Sequence, residues 1–388
     1  MLPVPAWSVA ATEVREPPAH RGGDEAVSPS RRRTVGVTVL VVLVAAAVAA
    51  ATLVWWYDVP RPDAGGDVPD SPSPVPTTAP PEELVGPLNL LLVGVDTRPG
   101  VPTWSPKADA VLVLHVPATH DQAYLFSLPR DLLVAVPAFE PAGFGGQRTK
   151  LTHAMSYGSR VPGQEIPDTA QGLQLLARTV AALIGVGSFD AAGVLTFTGF
   201  TDLVDALGGV DVALEQRVVS EHLQPDGSPR TLQPGGGGYL GPQKVYEVGE
   251  HHLQGWEALD LARQRYGLDG GDYARQRHHR ILVTGLVRQL SARDMVTDPA
   301  RAQQVRRALG DALVFEGRAG VVDLAFTLRR LRADRIVPVG LPGTSVIADG
   351  DYLGERLEPV SEQLLGAVAD NEVASFLAEH PDLLDETE

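Results

Sequence analysis

Between Leu261 and Arg280 the chain reads LARQRYGLDGGDYARQRHHR, which gathers Arg263, Arg265, Arg275, Arg277 and Arg280 in a protein whose net charge is -16. At an effective dielectric of about 20, two guanidinium groups about 6 Å apart repel by roughly 3 kcal/mol. A converging set therefore needs an anion, or water at an open surface, to compensate it; a solvated helix face with splayed arginines is the alternative. Gly270-Gly271-Asp272 before Tyr273-Ala274 has the form of a turn ending in an Asp N-cap, and Ile281, Leu282, Leu286 and Leu290 continue at helical spacing. Arg275 and Arg277 then fall in or near the first turn, where cations oppose the helix dipole and a bound phosphate is favoured by dipole and free N–H groups alike. Upstream, Leu253–Ala262 is spaced as a helix predicted to end by Arg263, so that Arg263 and Arg265 share one side on extended backbone. Arginine suits phosphate because its planar fork bonds two oxygens at once.

Further candidates sit beside apolar runs. Asp96-Thr97-Arg98 follows the run Leu88–Gly94, and Asp109 precedes Ala110–Val116. Open α/β sheets bind ligands at strand ends, and carboxylates near phosphates are natural Mg²⁺ partners; turn or cap roles are the plainer reading of each Asp alone. Ser127-Leu128-Pro129-Arg130-Asp131 ends a third run, where Arg130 joins the anion site and Asp131 orients it, and Lys150 in Thr149–His153 adds a point charge. Gly236–Gly241 fits G-x-G-x-x-G, but Pro242 follows and no strand leads in, so it reads as a flexible loop. The adjacent pairs His251-His252 and His278-His279 do not face one metal on a helix. With no P-loop, G-x-S-x-G or H-E-x-x-H, a serine triad or catalytic zinc has no support.

The elements that must carry these residues alternate. Short apolar runs at Leu88–Gly94, Ala110–Val116 and Ala123–Leu128 have the character of strands covered on both faces. Gln171–Ile184 has helical spacing; Val194–Phe200, Phe200–Leu207 and Gly209–Leu214 read as strand, helix and strand. Helices are predicted near 273–292, 300–315 and 320–332, with a strand at Arg335–Leu341. The order implies a three-layer α/β/α domain around a central sheet, over residues 88–370, with an acidic tail at 371–388. Thr34–Tyr57 is uncharged and long enough for a helix of about 36 Å, a membrane span. Arg31–Arg33 before it and Trp55, Trp56 and Tyr57 at its end place the N-terminus in the cytoplasm and the bulk of the chain outside the cell membrane; a cleaved signal peptide is the rival reading. Residues 1–33 read as a disordered cytoplasmic tail and 58–87 as a Pro-rich spacer. Hydrophobic content of 44% suits a globular domain. No cysteine means no disulfide or thiolate chemistry, and the acidic balance argues against nucleic acid as a partner.

In order, Asn89–Arg98, Ala108-Asp109-Ala110, Ser127–Asp131, Lys150–Ala154, Gly199-Phe200 through Val204–Asp211, and Arg263–Arg280 resemble the motifs of the LytR-CpsA-Psr family, over about residues 88–370. The resemblance implies a mixed central sheet and a membrane-anchored, Mg²⁺-dependent phosphotransferase that moves a glycopolymer from a polyprenyl-pyrophosphate carrier onto peptidoglycan. By motif position it makes Asp96 and Asp109 metal-associated, puts Arg130, Lys150, Arg263, Arg265 and Arg275 on the pyrophosphate, and adds Arg98, Asp131 and Asp272 as further motif positions in the catalytic set. Where the family often has a Gln pair after the last arginines, this chain has His279-Arg280. Two other readings stay open: a hydrolase of lipid-linked pyrophosphates, and a non-catalytic regulator, or attenuator, that binds such lipids. The apolar stretches Val180–Ile184 and Ile281–Leu290 are candidates for the isoprenoid slot, and equally for ordinary core.

Overall fold

The strand Leu88–Asp96 (β1) alternates between two buried faces: Leu91, Val93 and Val95 pack into one apolar cluster, Leu88, Leu90 and Leu92 into another. A strand covered on both sides belongs at the middle of a layered fold. The computed structural model describes residues 82–96, 101–234, 238–290, 313–318, 320–329 and 331–385, with a few positions between 304 and 310. The expected cytoplasmic tail and membrane span, and Arg98, lie outside the described residues. Among those described, no helix is long and apolar enough to cross a membrane.

After β1 come β2 (Lys107–Val116), β3 (Ala123–Ser127), a ribbon of β4 (Leu133–Val136) and β5 (Gln147–Lys150), and helices α1 (Thr152–Gly158) and α2 (Thr169–Ile184). Next are β6 (Ala191–Thr196), α3 (Phe197–Ala206) and β7 (Val210–Leu214). An excursion of short strands follows, β8 (Val218–Val219), β9 (Thr231–Leu232), β10 (Tyr239–Leu240), β11 (Val245–Tyr246) and β12 (Gly249–Leu253). The chain continues through α4 (Gly255–Arg263), α5 (Asp272–Leu290), β13 (Leu313–Gly317), α6 (Val321–Leu328), β14 (Ile336–Val339), the hairpin β15 (Gly343–Ala348) and β16 (Asp351–Leu357), α7 (Pro359–Ala369) and α8 (Val373–Glu379). Six strands form the central sheet in the order β13-β6-β1-β2-β3-β14. It is mixed, because β1 runs parallel to β6 and antiparallel to β2, while β3 runs parallel to β14.

Helices cover both faces. Met155 of α1, Leu173–Ile184 of α2, Leu364 and Val368 of α7 and Leu377 of α8 pack on the face of Val93 and Phe126. Val287 of α5 and Leu324 and Leu328 of α6 pack on the face of Leu90 and Leu125. A third cluster joins α3, α4 and α5 to β7 through Leu203, Ala258, Leu261, Leu282 and Val210. Gly285 lets α5 approach β7, since a Cβ there would lie 2.6 Å from the Asp211 carbonyl oxygen.

Three expectations shift. The strand expected at Val194–Phe200 is β6, which ends at Thr196; the Thr196 hydroxyl accepts from the Gly199 amide and caps α3, so Phe197 and Phe200 lie on a helix. The helix expected to 315 gives way at Leu313 to β13, because the open edge of β6 offers that segment a ladder of backbone partners. The acidic tail expected from 371 is partly built into the domain: Val373, Leu377 and Leu383 are buried, and Leu384 bridges to Val339.

Candidate active site

Two sheet carboxylates are brought together by a register slip. Gly94 faces Ala110 and Val95 faces Ala108, so Asp109 is the extra residue of a β-bulge, the device by which a strand re-aims a side chain. Asp109 and Asp96, at the end of β1, both line a cavity of about 480 Å³ between the sheet, α3, α4, α5 and the excursion. Gly94 also lines it; a Cβ there would meet the Ala110 Cβ at 3.1 Å and crowd the floor.

The cationic wall comes from three distant segments. α4 ends at Arg263 and Gln264 is extended (φ -67°, ψ 131°), so Arg263 and Arg265 both reach the cavity, as expected. Arg275, in the first turn of α5, and Arg130, after β3, complete the set. Arg130 Nη1 bonds Asp109 Oδ1 at 2.5 Å, and Arg275 Nη2 bonds Asp272 Oδ1 at 2.7 Å. Burial and the neighbouring Arg130 and Arg265 push the Arg275 pKa down, against the attraction of Asp272. For Arg130 burial pulls the same way but loses to Asp109, Asp131 and Asp272, which hold its pKa above the usual value. The Nε atoms of both Arg130 and Arg275 are buried with no hydrogen-bond partner. Unsatisfied buried donors on crowded cations are what a multidentate oxyanion relieves.

Beyond the charges the wall turns apolar, with Leu92, Leu112 and Leu195 from the sheet, Phe197 and Phe200 from α3, and Leu282, Val283 and Leu286 from α5. Of the stretch Ile281–Leu290, Leu282, Val283 and Leu286 line the cavity, while Val180, Ala181 and Ile184 belong to the core on the opposite face of the sheet. The cavity is thus amphiphilic: four guanidiniums with Asp96, Asp109 and Glu221 on its charged part, and a greasy channel beyond.

The rest of the arginine stretch goes elsewhere. Arg277, two residues after Arg275 and so on another side of α5, has its Nη2 on the Asp269 carbonyl at 3.4 Å. Arg280 is buried and bonded through Nε and Nη2 to both carboxylate oxygens of Asp385. Lys150, expected on the anion, does not line the cavity; its Nζ lies 3.6 Å from Asp131 Oδ1 and 4.5 Å from the centre of the Tyr352 ring. Asp131 and Asp272 also stand outside the wall, each paired with a cation. His279, at the position that departs from the family pattern, does line it, its Nε2–H donating to the Ala262 carbonyl at 2.9 Å. Burial first, then Arg275, pushes the His279 pKa down to about 3, so the ring is neutral.

Sequence reasoning missed a buried network under the Arg263–Arg265 pair. Asp260 accepts from the Ser220 hydroxyl (2.9 Å), the Tyr246 hydroxyl (3.0 Å) and Gln264 Nε2 (2.7 Å), and Gln264 Oε1 accepts from the Glu221 amide (3.0 Å). These bonds pin the extended residue between the two arginines to the excursion. They also bring Glu221, His222 and Tyr239 to the cavity wall. Its only trace in the sequence is Asp260, a polar residue inside the helical stretch Leu253–Ala262.

The LytR_cpsA_psr family model matches residues 70–364. The chain is 25% identical over 271 residues to "Polyisoprenyl-teichoic acid--peptidoglycan teichoic acid transferase TagU" of Enterococcus faecalis, covering 68% of this chain and 73% of that protein. It is 25% identical over 250 residues to "Cell wall biosynthesis protein LcpA" of Corynebacterium glutamicum, covering 63% of this chain and 44% of that one. The chain spans about half the length of several curated relatives it matches. Among solved structures, TagT bound to LI-WTA aligns with a TM-score of 0.52 at 20% identity, covering 74% of this chain and 91% of that chain, a likeness of fold. The matched span takes in the whole central sheet and every arginine of the cavity: the chain belongs to the LytR-CpsA-Psr family.

Proposed function

We propose that this chain is a phosphotransferase that moves a glycopolymer from a polyprenyl-pyrophosphate carrier onto peptidoglycan in cell wall assembly, anchored in the cell membrane with its folded domain on the outer side. One observation carries the reading: a single cavity joins four arginines at one end to an apolar channel at the other. A polyprenyl diphosphate has the same division, a doubly charged head and an isoprenoid tail. The name of the TagU relative supports the same class of reaction, and that of the LcpA relative its setting in the cell wall.

Asp96 and Asp109 are the residues that would hold Mg²⁺. Two carboxylates beside a diphosphate site suit Mg²⁺, which is commonly held by one or two carboxylates with phosphate oxygens and water. When bound it neutralises charge on the diphosphate oxygens. The protein's own part is positioning and electrostatics, which dominate phosphoryl transfer. Arg130 and Arg275 bring buried donors to the diphosphate, Arg263 and Arg265 close on it from the end of α4, and the channel fixes the tail. A peptidoglycan hydroxyl attacks the phosphorus nearer the glycan in line with the departing lipid monophosphate. Asp131 and Asp272 act one step back, fixing Lys150 and Arg275 through their ion pairs.

The test is to incubate the full-length protein in detergent with a lipid-pyrophosphate glycan, Mg²⁺ and nascent peptidoglycan. Glycan joined to peptidoglycan through a phosphodiester is the expected product. Free glycan phosphate formed without acceptor would make the protein a hydrolase, and absence of turnover would leave only lipid binding.

A further inference from the structure

Transfer to a hydroxyl requires a group to take its proton; the arginines cannot accept one, Asp96 and Asp109 are the residues that would hold Mg²⁺, and Glu221, His222 and His279 are the other proton acceptors on the wall. Asp109 is committed to Arg130, and the Nε2–H of His279 to the Ala262 carbonyl. His222 is different. It is half-buried on the cavity wall, beside Arg263 and Arg265, at the charged end. Its ring is braced edge-on by Tyr239, with centroids 5.0 Å apart, and its backbone amide donates to Ser220 Oγ at 3.3 Å. Ser220 bonds Asp260, and Asp260 bonds Gln264 between the two arginines. One buried network therefore holds the backbone of His222 and the Arg263–Arg265 pair in the same frame, and Tyr239 braces the ring.

We propose that His222 is the general base of the transfer, accepting the proton of the incoming hydroxyl as its oxygen bonds to phosphorus; this rests on the function proposed above. In the step the O–H bond breaks and its proton goes to the imidazole. The new O–P bond forms, the bridging P–O bond breaks, and its electron pair leaves with the lipid monophosphate. An imidazole suits this wall better than a carboxylate, because a carboxylate beside Arg263 and Arg265 competes with the diphosphate for their donors. Burial and then Arg263, with Arg265 behind it, hold the ring below its ordinary value of 6.5, against Glu221 and Asp260, which raise it. The resting ring is thus a free base at neutral pH. A bound diphosphate reverses the local charge and favours the imidazolium.

H222Q and H222N in the full-length protein test this. With wild type active, the expected result is a loss of about 100-fold or more in transfer rate, in the range of general acid–base catalysis. Binding of the probe farnesyl pyrophosphate is expected to stay within about 2-fold, because a neutral group replaces a neutral group. The wild-type rate is expected to fall as acid protonates His222, and that acid limb is expected to be absent from both variants. The His222 ring resonances, assigned by difference, are expected to titrate at higher pH once farnesyl pyrophosphate is added. Variants that bind the probe and transfer at about a third of the wild-type rate or more, with the acid limb intact, overturn the assignment. So does a His222 titration unmoved by the probe. An inactive wild type overturns the function and this assignment together; an active wild type beside indifferent variants overturns this assignment alone.

Discussion

Asp385 is expected to be one of the most stabilising residues of the fold, although it lies only three positions before Glu388 in an acidic segment. The side chain of Arg280 is 3% exposed and that of Asp385 16%, with Nε–Oδ2 at 2.5 Å and Nη2–Oδ1 at 2.8 Å. Replacing Asp385 by Ala removes both acceptors and strands a guanidinium inside the protein. Breaking a buried pair from one side costs about 3–5 kcal/mol, far more than the pair's net worth, because the remaining charge keeps its desolvation penalty. Urea unfolding of D385A at pH 7, followed by circular dichroism, is expected to show a loss of about 4 kcal/mol. With a slope of about 3 kcal/mol per molar urea, the midpoint falls by about 1 M. The double variant R280M/D385L is expected to recover most of that loss, since apolar groups leave nothing uncompensated. A D385A loss under about 1 kcal/mol, the worth of an exposed ion pair, would refute the burial argument.

R263A is expected to lower transfer about 10- to 100-fold, at about 1.5–3 kcal/mol for a hydrogen bond to a charged group, with an unchanged melting temperature. Wild-type transfer by that variant would remove Arg263 from the site. V283W, which fills the apolar channel, is expected to weaken farnesyl pyrophosphate binding about tenfold or more, roughly what two lost methylene burials cost, and to leave inorganic pyrophosphate binding unchanged. Equal loss for both ligands would place the tail elsewhere. His115 and His278 are buried, and desolvation pushes each down to about 4 from 6.5. Their folded pKa values are depressed, so the unfolded chain takes up protons first as pH falls. The stability they contribute is complete above 6.5 and is lost toward 4, with a slope of up to about 1.4 kcal/mol per pH unit for each histidine. Urea unfolding between pH 7 and 5 measures this; a flat profile contradicts it.

Strong local signals in the chain translated directly into the structure. The continuous apolar runs became β1, β2 and β3, the spacing of Gln171–Ile184 became α2, and the turn at Gly270-Gly271 started α5 at Asp272. The end of α4 at Arg263 was legible too, and with it the shared direction of Arg263 and Arg265. Weak local signals were overridden by partners distant in the chain. Leu313–Gly317 paired with β6 instead of extending a helix, and Thr196 ended β6 by capping α3.

The composition of the site was written in the sequence, because guanidinium and carboxylate chemistry belongs to the residue wherever it stands, and an arginine excess in an acidic chain marks an anion. Its membership was not. Arg275, Arg277 and Arg280 lie within six positions of one another, yet one enters the cavity, one reaches a loop carbonyl and one meets Asp385 more than a hundred residues away. His222 carried no motif and became visible only when Ser220, Asp260 and Gln264 bound its segment to the end of α4. Which charges converge is set by long-range packing and by the desolvation each group suffers there, and neither quantity exists until the chain has folded.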